Sequence, residues 1–447
     1  MNRGSSSIGT RTLIVLLSLA VAFPARGQMA ASTPSSDGFT AGVLQHLTLA
    51  DAQRLAMERN WDLLAAVAGV DAATAQKIVA HEFPNPTLAA STTKINVDNQ
   101  PNSTAAGNGL WDRSYDTVFA INQLLEIGGK RHNRQISAQA GVESAKALFL
   151  DAKRTLDLGV AKAYIAAAQS EENVRILLDS AATLREEARL AEVRLRAGEI
   201  SSADRNQIEI NAERFESDAQ AAKSAAAQAR VALEVLLGVP RPNADCSLAD
   251  KLENQAATPM KPTTQATGLW RPDVVAAEAA WRRADADWRL QKAFRIPDPT
   301  VLAQYEHQPP DAPNTMGVGV SFPLPLWNRN RGNILAAAAA RDQAKLAFDK
   351  AKAQAAADIA TALLASDEAA RRWQRYRDSI RPKSEQVRKS KAYAYQKGGA
   401  SLLDMLVAER DDNEVRLAAQ QAASDAAAAM AALKAATTEI KPSDLKK

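Results

Sequence analysis

Residues 295–332 read RIPDPTVLAQYEHQPPDAPNTMGVGVSFPLPLWNRNRG, and the fold turns on them. Two prolines one residue apart, Pro297 and Pro299, open the stretch, and Pro323 and Pro325 close it. From 315 to 322, Met316, Val318, Val320 and Phe322 fall on one face, and Thr315, Gly317, Gly319 and Ser321 on the other. That period of two describes a strand with one oily face and one small, polar face. From 300 to 307 the alternation is weaker: Val301, Ala303 and Tyr305 against Thr300, Leu302, Gln304 and Glu306. Ala-rich, charge-rich helical stretches flank both sides. Short strands between long helices, with proline at each junction, organise the chain.

The same arrangement occurs earlier. Phe83-Pro84-Asn85-Pro86-Thr87 aligns with Ile296-Pro297-Asp298-Pro299-Thr300 and leads into a strand-like run, LAASTTKINVD. A polar loop carrying Trp111 and Tyr115 then precedes TVFAINQLLEI, which ends at Gly128-Gly129-Lys130-Arg131. Residues 124–131 occupy the place of 323–330, each leading into a long helix. Further on, Arg196-Ala197-Gly198-Glu199-Ile200-Ser201 answers Lys397-Gly398-Gly399-Ala400-Ser401, and Asp204 matches Asp404. The chain is a tandem repeat, residues 47–240 and 270–437, joined by a Pro/Thr/Gln-rich linker over 241–269 and followed by a tail, 438–447.

Composition narrows the function. The 447 residues are 46% hydrophobic and 24% charged with few aromatics, which suits long helices rather than a compact α/β enzyme. Of the formal charge of +4, three units come from Arg3, Arg11 and Arg26, leaving +1 for the rest and no basic patch for nucleic acid. Residues 1–27 read as a secretory signal: a basic start, the apolar run LIVLLSLAVAF, and Ala25-Arg26-Gly27 as a cleavage site. No cysteine stands there to take a lipid, so no N-terminal lipid anchor is expected. Residues 28–46 form a Ser/Thr/Gly/Pro-rich flexible segment. The single cysteine, Cys246, cannot pair within one chain, which leaves only an interchain disulfide open. No later stretch approaches the ~18 uninterrupted apolar residues of a membrane helix, so entry into a membrane after export requires strands.

Helix length carries the next step. Between His132 and Ala197 there is no proline, which at ~1.5 Å per residue makes a rod of ~100 Å. Residues 330–397 are similar, broken only by Pro382, where a kink is expected. The helices over 61–81 and 202–237, stacked end to end, total about 57 residues and nearly match the long helix beside them. Val174, Leu177, Ala181, Leu184, Ala188, Ala191 and Leu195 alternate spacings of three and four, a coiled-coil seam.

Four strand-like runs cannot close a barrel, and an open edge is not tolerated in lipid. The strands must be pooled between chains. Three chains give twelve strands, within the range of membrane barrels, and the helices continue below as a hollow cylinder. The pattern is that of a conduit.

The proline-bounded strand pairs, the Gly-turn-Ser-Asp hairpins and the repeat together resemble the TolC family of outer membrane efflux proteins over essentially all of the mature chain. More narrowly, Glu126-Ile127-Gly128-Gly129-Lys130-Arg131 and Pro323-Leu324-Pro325-Leu326-Trp327-Asn328-Arg329-Asn330 are similar to the CzcC-type branch of cobalt–zinc–cadmium efflux. The resemblance implies a mainly α homotrimer with a twelve-stranded β-barrel in the outer membrane of a Gram-negative bacterium and a periplasmic α-helical barrel. Its partners would be outer membrane lipid, a periplasmic membrane-fusion adaptor docked at the hairpin tips, and an inner-membrane proton-driven pump of the RND class. No catalysis and no cofactor are implied, and the cargo would be divalent heavy-metal cations of the Co/Zn/Cd/Ni class.

The tips are residues 196–206 and 396–407. Gly198, Gly398 and Gly399 supply permissive backbone for the reversal, with Ser201 and Ser401 at the following helix starts. In the family the second hairpin carries acidic residues that narrow the periplasmic entrance, and Asp404 matches the first such position. Val407 stands where some relatives have a second aspartate, and Ala400 where a basic residue occurs. Two readings of Asp404 remain open: a ring of three carboxylates favouring cations, or a polar residue capping a helix. For Asp204 the cap is the better account.

Other features carry less. Gly317 and Gly319 lack the third glycine and helix of a nucleotide loop. The histidines His46, His81, His132 and His307 are scattered without ligand spacing. Trp111, Tyr115 and Tyr305 fit an aromatic girdle or exposed loops, and Lys130, Arg131, Arg329 and Arg331 fit either headgroup contacts or solvated helix starts. The rival classes are a duct for drugs or secreted proteins with the same architecture, and a periplasmic coiled-coil scaffold, which leaves the strands unexplained.

Overall fold

The computed structural model describes residues 45–93, 116–250, 253, 268–308 and 312–440. The signal segment, most of the N-terminal segment, Trp111, Tyr115, most of the linker and most of the tail lie outside them. In chain order the elements are α1 (Leu49–Arg59), α2 (Trp61–His81), β1 (Thr87–Thr93), β2 (Asp116–Leu124), α3 (Lys130–Arg196), α4 (Ser202–Leu236), α5 (Pro272–Ala293), β3 (Thr300–Gln308), β4 (Ala312–Ser321), α6 (Arg331–Arg375), a π-helical turn (Tyr376–Ile380), α7 (Arg381–Gln396) and α8 (Leu402–Ala436).

The four strands form one antiparallel sheet in the order β1-β2-β3-β4. Register follows the alternation read from sequence. Phe119 faces Tyr305 and Tyr305 faces Met316; Ile121 faces Ala303, and Ala303 faces Val318. One face is therefore apolar, and Met316 and Val318 are about nine-tenths exposed on it. The other face carries Ser91, Asn122, Gln304, Gly317 and Thr315. Tyr305 lies on the apolar side, its hydroxyl donating to Asn314 Oδ1 at 2.5 Å. The described part of β1 is seven residues. β2 stops at Leu124 rather than continuing to Ile127, because the Ile127 amide donates to the Asp298 carboxylate at 2.9 Å instead of to a ladder partner.

α3 runs unbroken for 67 residues, ~100 Å. Leu177, Ala181, Leu184 and Ala191 of the predicted seam are buried, and Val174, Ala188 and Leu195 are half-buried. α2 and α4 pack along α3 and meet near their ends: Asn60 caps α2, while its side-chain amide donates to Leu236 O at 3.0 Å. Gly238 closes this joint at φ 74°, where a Cβ would lie 2.5 Å from Arg59 O. The second repeat closes similarly, Ile440 N donating to Trp270 O at 2.9 Å beside the start of α5. Much of the core is alanine. Ala369 and Trp373 of α6 meet Ala419, Ala422, Ala423 and Ala426 of α8 against Ile165 of α3, and such small residues let helix axes approach closely.

The kink expected at Pro382 takes a specific form. Proline has no N–H to give to the carbonyl four residues back and its ring crowds that turn. The helix inserts a π-helical turn just before it, in which the Arg381 amide bonds to Tyr376 O.

Candidate functional site

The two hairpin tips are built alike. Gly198 (φ 74°) and Gly398 (φ 76°) take the left-handed conformation that ends α3 and α7. Glu199 N then reaches back to Arg194 O at 2.9 Å, and Gly399 N to Ala394 O at 2.8 Å. Gly399 is not in the left-handed region, so only one of the two adjacent glycines serves the reversal. This corrects the expectation that Gly399 also supplies permissive backbone for the reversal. The next helix starts on a capping box: Ser201 Oγ accepts from Asp204 N at 3.1 Å while Asp204 reaches the Ser201 amide at 3.4 Å, and Ser401 and Asp404 repeat this at 3.1 and 3.4 Å.

Both aspartates are thus helix caps, and they differ in what surrounds them. Lys391 of α7 lies 3.6 Å from the Asp404 carboxylate. Hydrogen bonds from Ser401, and then the Lys391 charge, hold that carboxyl below the usual aspartate range. Asp404 is half exposed and ionised, its charge at the tip faced by the Lys391 ammonium. The tips of the two repeats stand side by side, the Arg194 guanidinium lying 5.5 Å above the Tyr395 ring.

Three turns above the second tip lies an ionic layer that the sequence reading missed. Arg388 of α7 reaches both Glu409 (3.2 Å) and Asp412 (3.1 Å) of α8. Both acids are buried, and Asp412 Oδ1 has no hydrogen-bond partner. Burial, opposed by Arg388, pushes the Glu409 carboxyl up. Asn413 on the same helix accepts from Ser180 of α3 at 3.0 Å, and Arg416 reaches Asp179 at 3.2 Å, so the layer ties the second hairpin to the first. Arg388, Glu409, Asp412, Ser180, Asp179 and Arg416 line a cavity of about 290 Å³. A signal existed in the sequence. Residues equidistant from an antiparallel turn face each other, and Arg388 and Glu409 are equidistant from the Gly398–Gly399 turn.

At the barrel–helix junctions, Gly128 and Gly129 adopt φ 72° and 75°, and Asn330 plays the same left-handed part before α6 at φ 57°. Lys130 is not at a headgroup surface and is not solvated. Only 3% exposed, it donates to Ile296 O at 2.6 Å and pairs with Asp298 at 2.7 Å. Its charge is used inside the chain, between the two repeats. Arg131 bonds to His81 O and stacks 3.8 Å from the Phe83 ring centre. Pro84 O accepts from Gln123 at 3.0 Å and Pro299 O from Leu125 N at 2.9 Å. Pro297 lies half-buried between Ile296 and Asp298, and Pro86, Pro323, Pro325, Asn328 and Arg329 are exposed, with Asn328 accepting from the Asn330 amide at 3.0 Å.

The start of the linker is fastened by Glu234, a fully buried carboxylate that accepts the amides of Asn243, Ala244 and Cys246 at 2.8–3.0 Å. Cys246 is buried with its thiol pushed up to about 12, first by burial, which removes it as a partner for another chain. Leu47 pairs with Leu248 as a short parallel bridge, and Tyr164, buried in α3, donates to Leu47 O at 2.8 Å. Among the described residues no group of three His, Cys, Asp or Glu side chains is placed to hold a metal.

A sheet with neither outer edge paired among the described residues, apolar on one face and polar on the other, carried on long helical hairpins, is one chain's share of a pooled-strand membrane duct. The chain belongs to the outer membrane efflux protein family, whose sequence model matches residues 52–239 and 267–439. It is 26% identical over 417 residues to the cobalt-zinc-cadmium resistance protein CzcC of Cupriavidus metallidurans, covering 91% of this chain and 94% of that one. It is also 26% identical over 307 residues to the nickel and cobalt resistance protein CnrC of the same organism, covering 67% and 70%. Among solved structures, CusC, described as forming a transmembrane channel, superposes with a TM-score of 0.70 at 19% identity over 88% of this chain and 92% of that one. Membership makes this chain an outer membrane efflux channel of mainly helical architecture, a conduit rather than an enzyme.

Proposed function

We propose that the chain works as a homotrimeric outer membrane duct of a tripartite RND efflux assembly and that its cargo is divalent heavy-metal cations. The observation that carries the duct is the sheet. Neither β1 nor β4 has a partner on its outer edge among the described residues, and lipid does not tolerate an unpaired edge. Likeness to CzcC across nearly the whole of both chains supports the cargo. The tips at Gly198 and Gly398 would receive a periplasmic adaptor, with the pump beyond it. Three Asp404 carboxylates, ionised within their caps, would gather cations at the entrance.

The test of cargo is growth of a deletion strain on cobalt, zinc, cadmium, nickel, copper and several organic drugs. Sensitivity confined to divalent metals is expected. Sensitivity to drugs alone would overturn the metal reading and leave a duct of another branch. At the entrance, Asp404→Asn is expected to reduce cation preference in planar-bilayer recordings while Asp204→Asn leaves it unchanged. Equal effects would remove the special role of Asp404.

A further inference from the structure

Within one chain, the exit from β2 and the entry to β3 are locked together. Leu125 N donates to Pro299 O, Ile127 N to Asp298, and Lys130 reaches Ile296 O and Asp298. Ile296 packs so closely on Gly128 that a Cβ there would lie 3.1 Å from Ile296 Cδ1. The tandem repeat supplies the same two parts a second time, and within one chain they do not meet. The exit from β4 is residues 322–330, and the entry to β1 is the segment Phe83-Pro84-Asn85-Pro86. Asn85 stands where the other entry has Asp298 and Phe83 where it has Ile296, while Arg331, the first residue of its helix, corresponds to Lys130 when the two exits are counted from the helix start.

Both parts are largely exposed, with the Arg131 guanidinium over one face of the Phe83 ring. Trp327 is 93% exposed, Phe322, Leu324 and Leu326 are more than half exposed, and so are Phe83 and, just before it on α2, Ile78 and Val79. The exit from β4 is also longer. Nine residues separate β4 from α6, against five between β2 and α3. Strand directions bring the two parts together. β4 runs toward the helical side and β1 away from it, so head-to-tail closure sets β4 antiparallel to the next copy's β1 about 4.8 Å away. That places residues 322–327 of one copy beside residues 83–86 of the next.

We infer that residues 322–327 are a clasp that closes over the β1 entry of a second copy of this chain, with Trp327 covering Phe83 and the end of α2. The inference rests on the shared-barrel reading proposed above and names the contact that locks it. Asn85, unlike Asp298, carries no charge, so the copy-to-copy joint cannot use a buried ion pair of the Lys130 kind. The extra apolar length of the exit replaces it.

The experiment uses the full chain in outer membranes. The pair Trp327→Cys with Phe83→Cys is treated with a short bismaleimide, and separately the edge pair Val320→Cys with Leu88→Cys, which face each other between copies when the strand ends are matched, Ser321 to Leu124 and Thr87 to Thr300, and the β2–β3 pairing of Gln123 with Val301 is carried over. Native Cys246 is buried and stays silent. Covalent two- and three-chain ladders from both pairs are the expected result. An edge ladder without a clasp ladder would overturn the clasp and leave the shared barrel standing. No ladder from either pair would overturn both. As a second readout, Trp327→Ala should lower the temperature at which the detergent-resistant oligomer dissociates, and Trp327→Phe should largely restore it. An unchanged temperature, with the Trp327→Cys variant labelled by a membrane-partitioning maleimide, would show lipid as the occupant and refute the clasp.

Discussion

The two hairpins begin from the same capping box and diverge above it. Counting in either direction from Ser201 and Ser401, repeat 1 has Ala188, Glu209 and Ala212 where repeat 2 has Arg388, Glu409 and Asp412. Ala212 is fully buried, an ordinary seam contact, whereas Asp412 is a buried acid sharing one arginine with Glu409. α3 is one continuous helix, and its counterpart is interrupted by the π-helical turn before Pro382. α3 buries residues along most of its length, while α7 buries none and α6 few. The same backbone plan thus carries in one repeat a hairpin whose buried seam is apolar and whose cross-hairpin ion pairs, Arg185–Glu216 and Arg205–Glu192, are partly exposed. In the other it carries a hairpin held by charge, with a long exposed face for neighbours. Apolar seams hold at any pH; an ionic layer holds only while its charges balance.

The largest effect should come from removing that balance. Arg388→Ala leaves two buried acids without their cation, and is expected to destabilise the periplasmic part by about 3 kcal/mol. Denaturant unfolding would measure it. Converting the layer to the repeat 1 pattern, with Arg388→Ala and Asp412→Ala together, should recover much of the loss. If the double variant is as unstable as the single, burial of unpaired charge is not the reason.

Next in size is the reversal itself. Gly398→Ala places a Cβ in the left-handed region, costing about 1 kcal/mol, and Gly198→Ala should match it because the two turns share one geometry. Unequal losses by thermal melting would break the equivalence of the tips.

A pH dependence specific to repeat 2 follows from Glu409. Its folded carboxyl sits above the usual glutamate value of 4.5, so the folded state holds its proton more tightly than the unfolded chain does. The stabilisation is full below about 4.5 and is lost as pH rises through the raised value. Glu409→Gln should flatten that part of the stability–pH curve. A slope that persists in Glu409→Gln would assign it to another group.

The smallest effect is expected at Gly399, whose φ lies outside the left-handed region and whose Cβ would meet Ala394 O only at 3.6 Å. Gly399→Ala should change the melting temperature little or raise it slightly, in contrast to Gly398→Ala.

Much of this was legible in the residues. The alternation Met316-Val318-Val320 fixed which face of β4 is apolar, and paired Pro-x-Pro entries marked where sheet gives way to helix. The a/d spacing from Val174 to Leu195 placed the seam of α3. These signals are local and periodic. Lys130 misled because a lysine at a helix start beside a membrane strand carries no mark of its distant partner. Asp298 is 168 positions away and becomes its neighbour only when β2 and β3 pair. Glu234 was invisible for a related reason: three backbone amides select it, and amides leave no trace in side-chain sequence.

The sequence by itself determined the elements, their order, the twofold internal repeat and the exposed apolar face that commits the strands to lipid. Each follows from periodicity within one segment or from likeness between two. Tertiary structure alone decided which charges are spent inside the chain and which remain at the surface. Lys130, Arg388 and Glu234 are consumed by partners, while Asp404 stays half exposed and ionised. The reason is physical: a charge's fate depends on what folding brings within ~4 Å of it and on how much water is left.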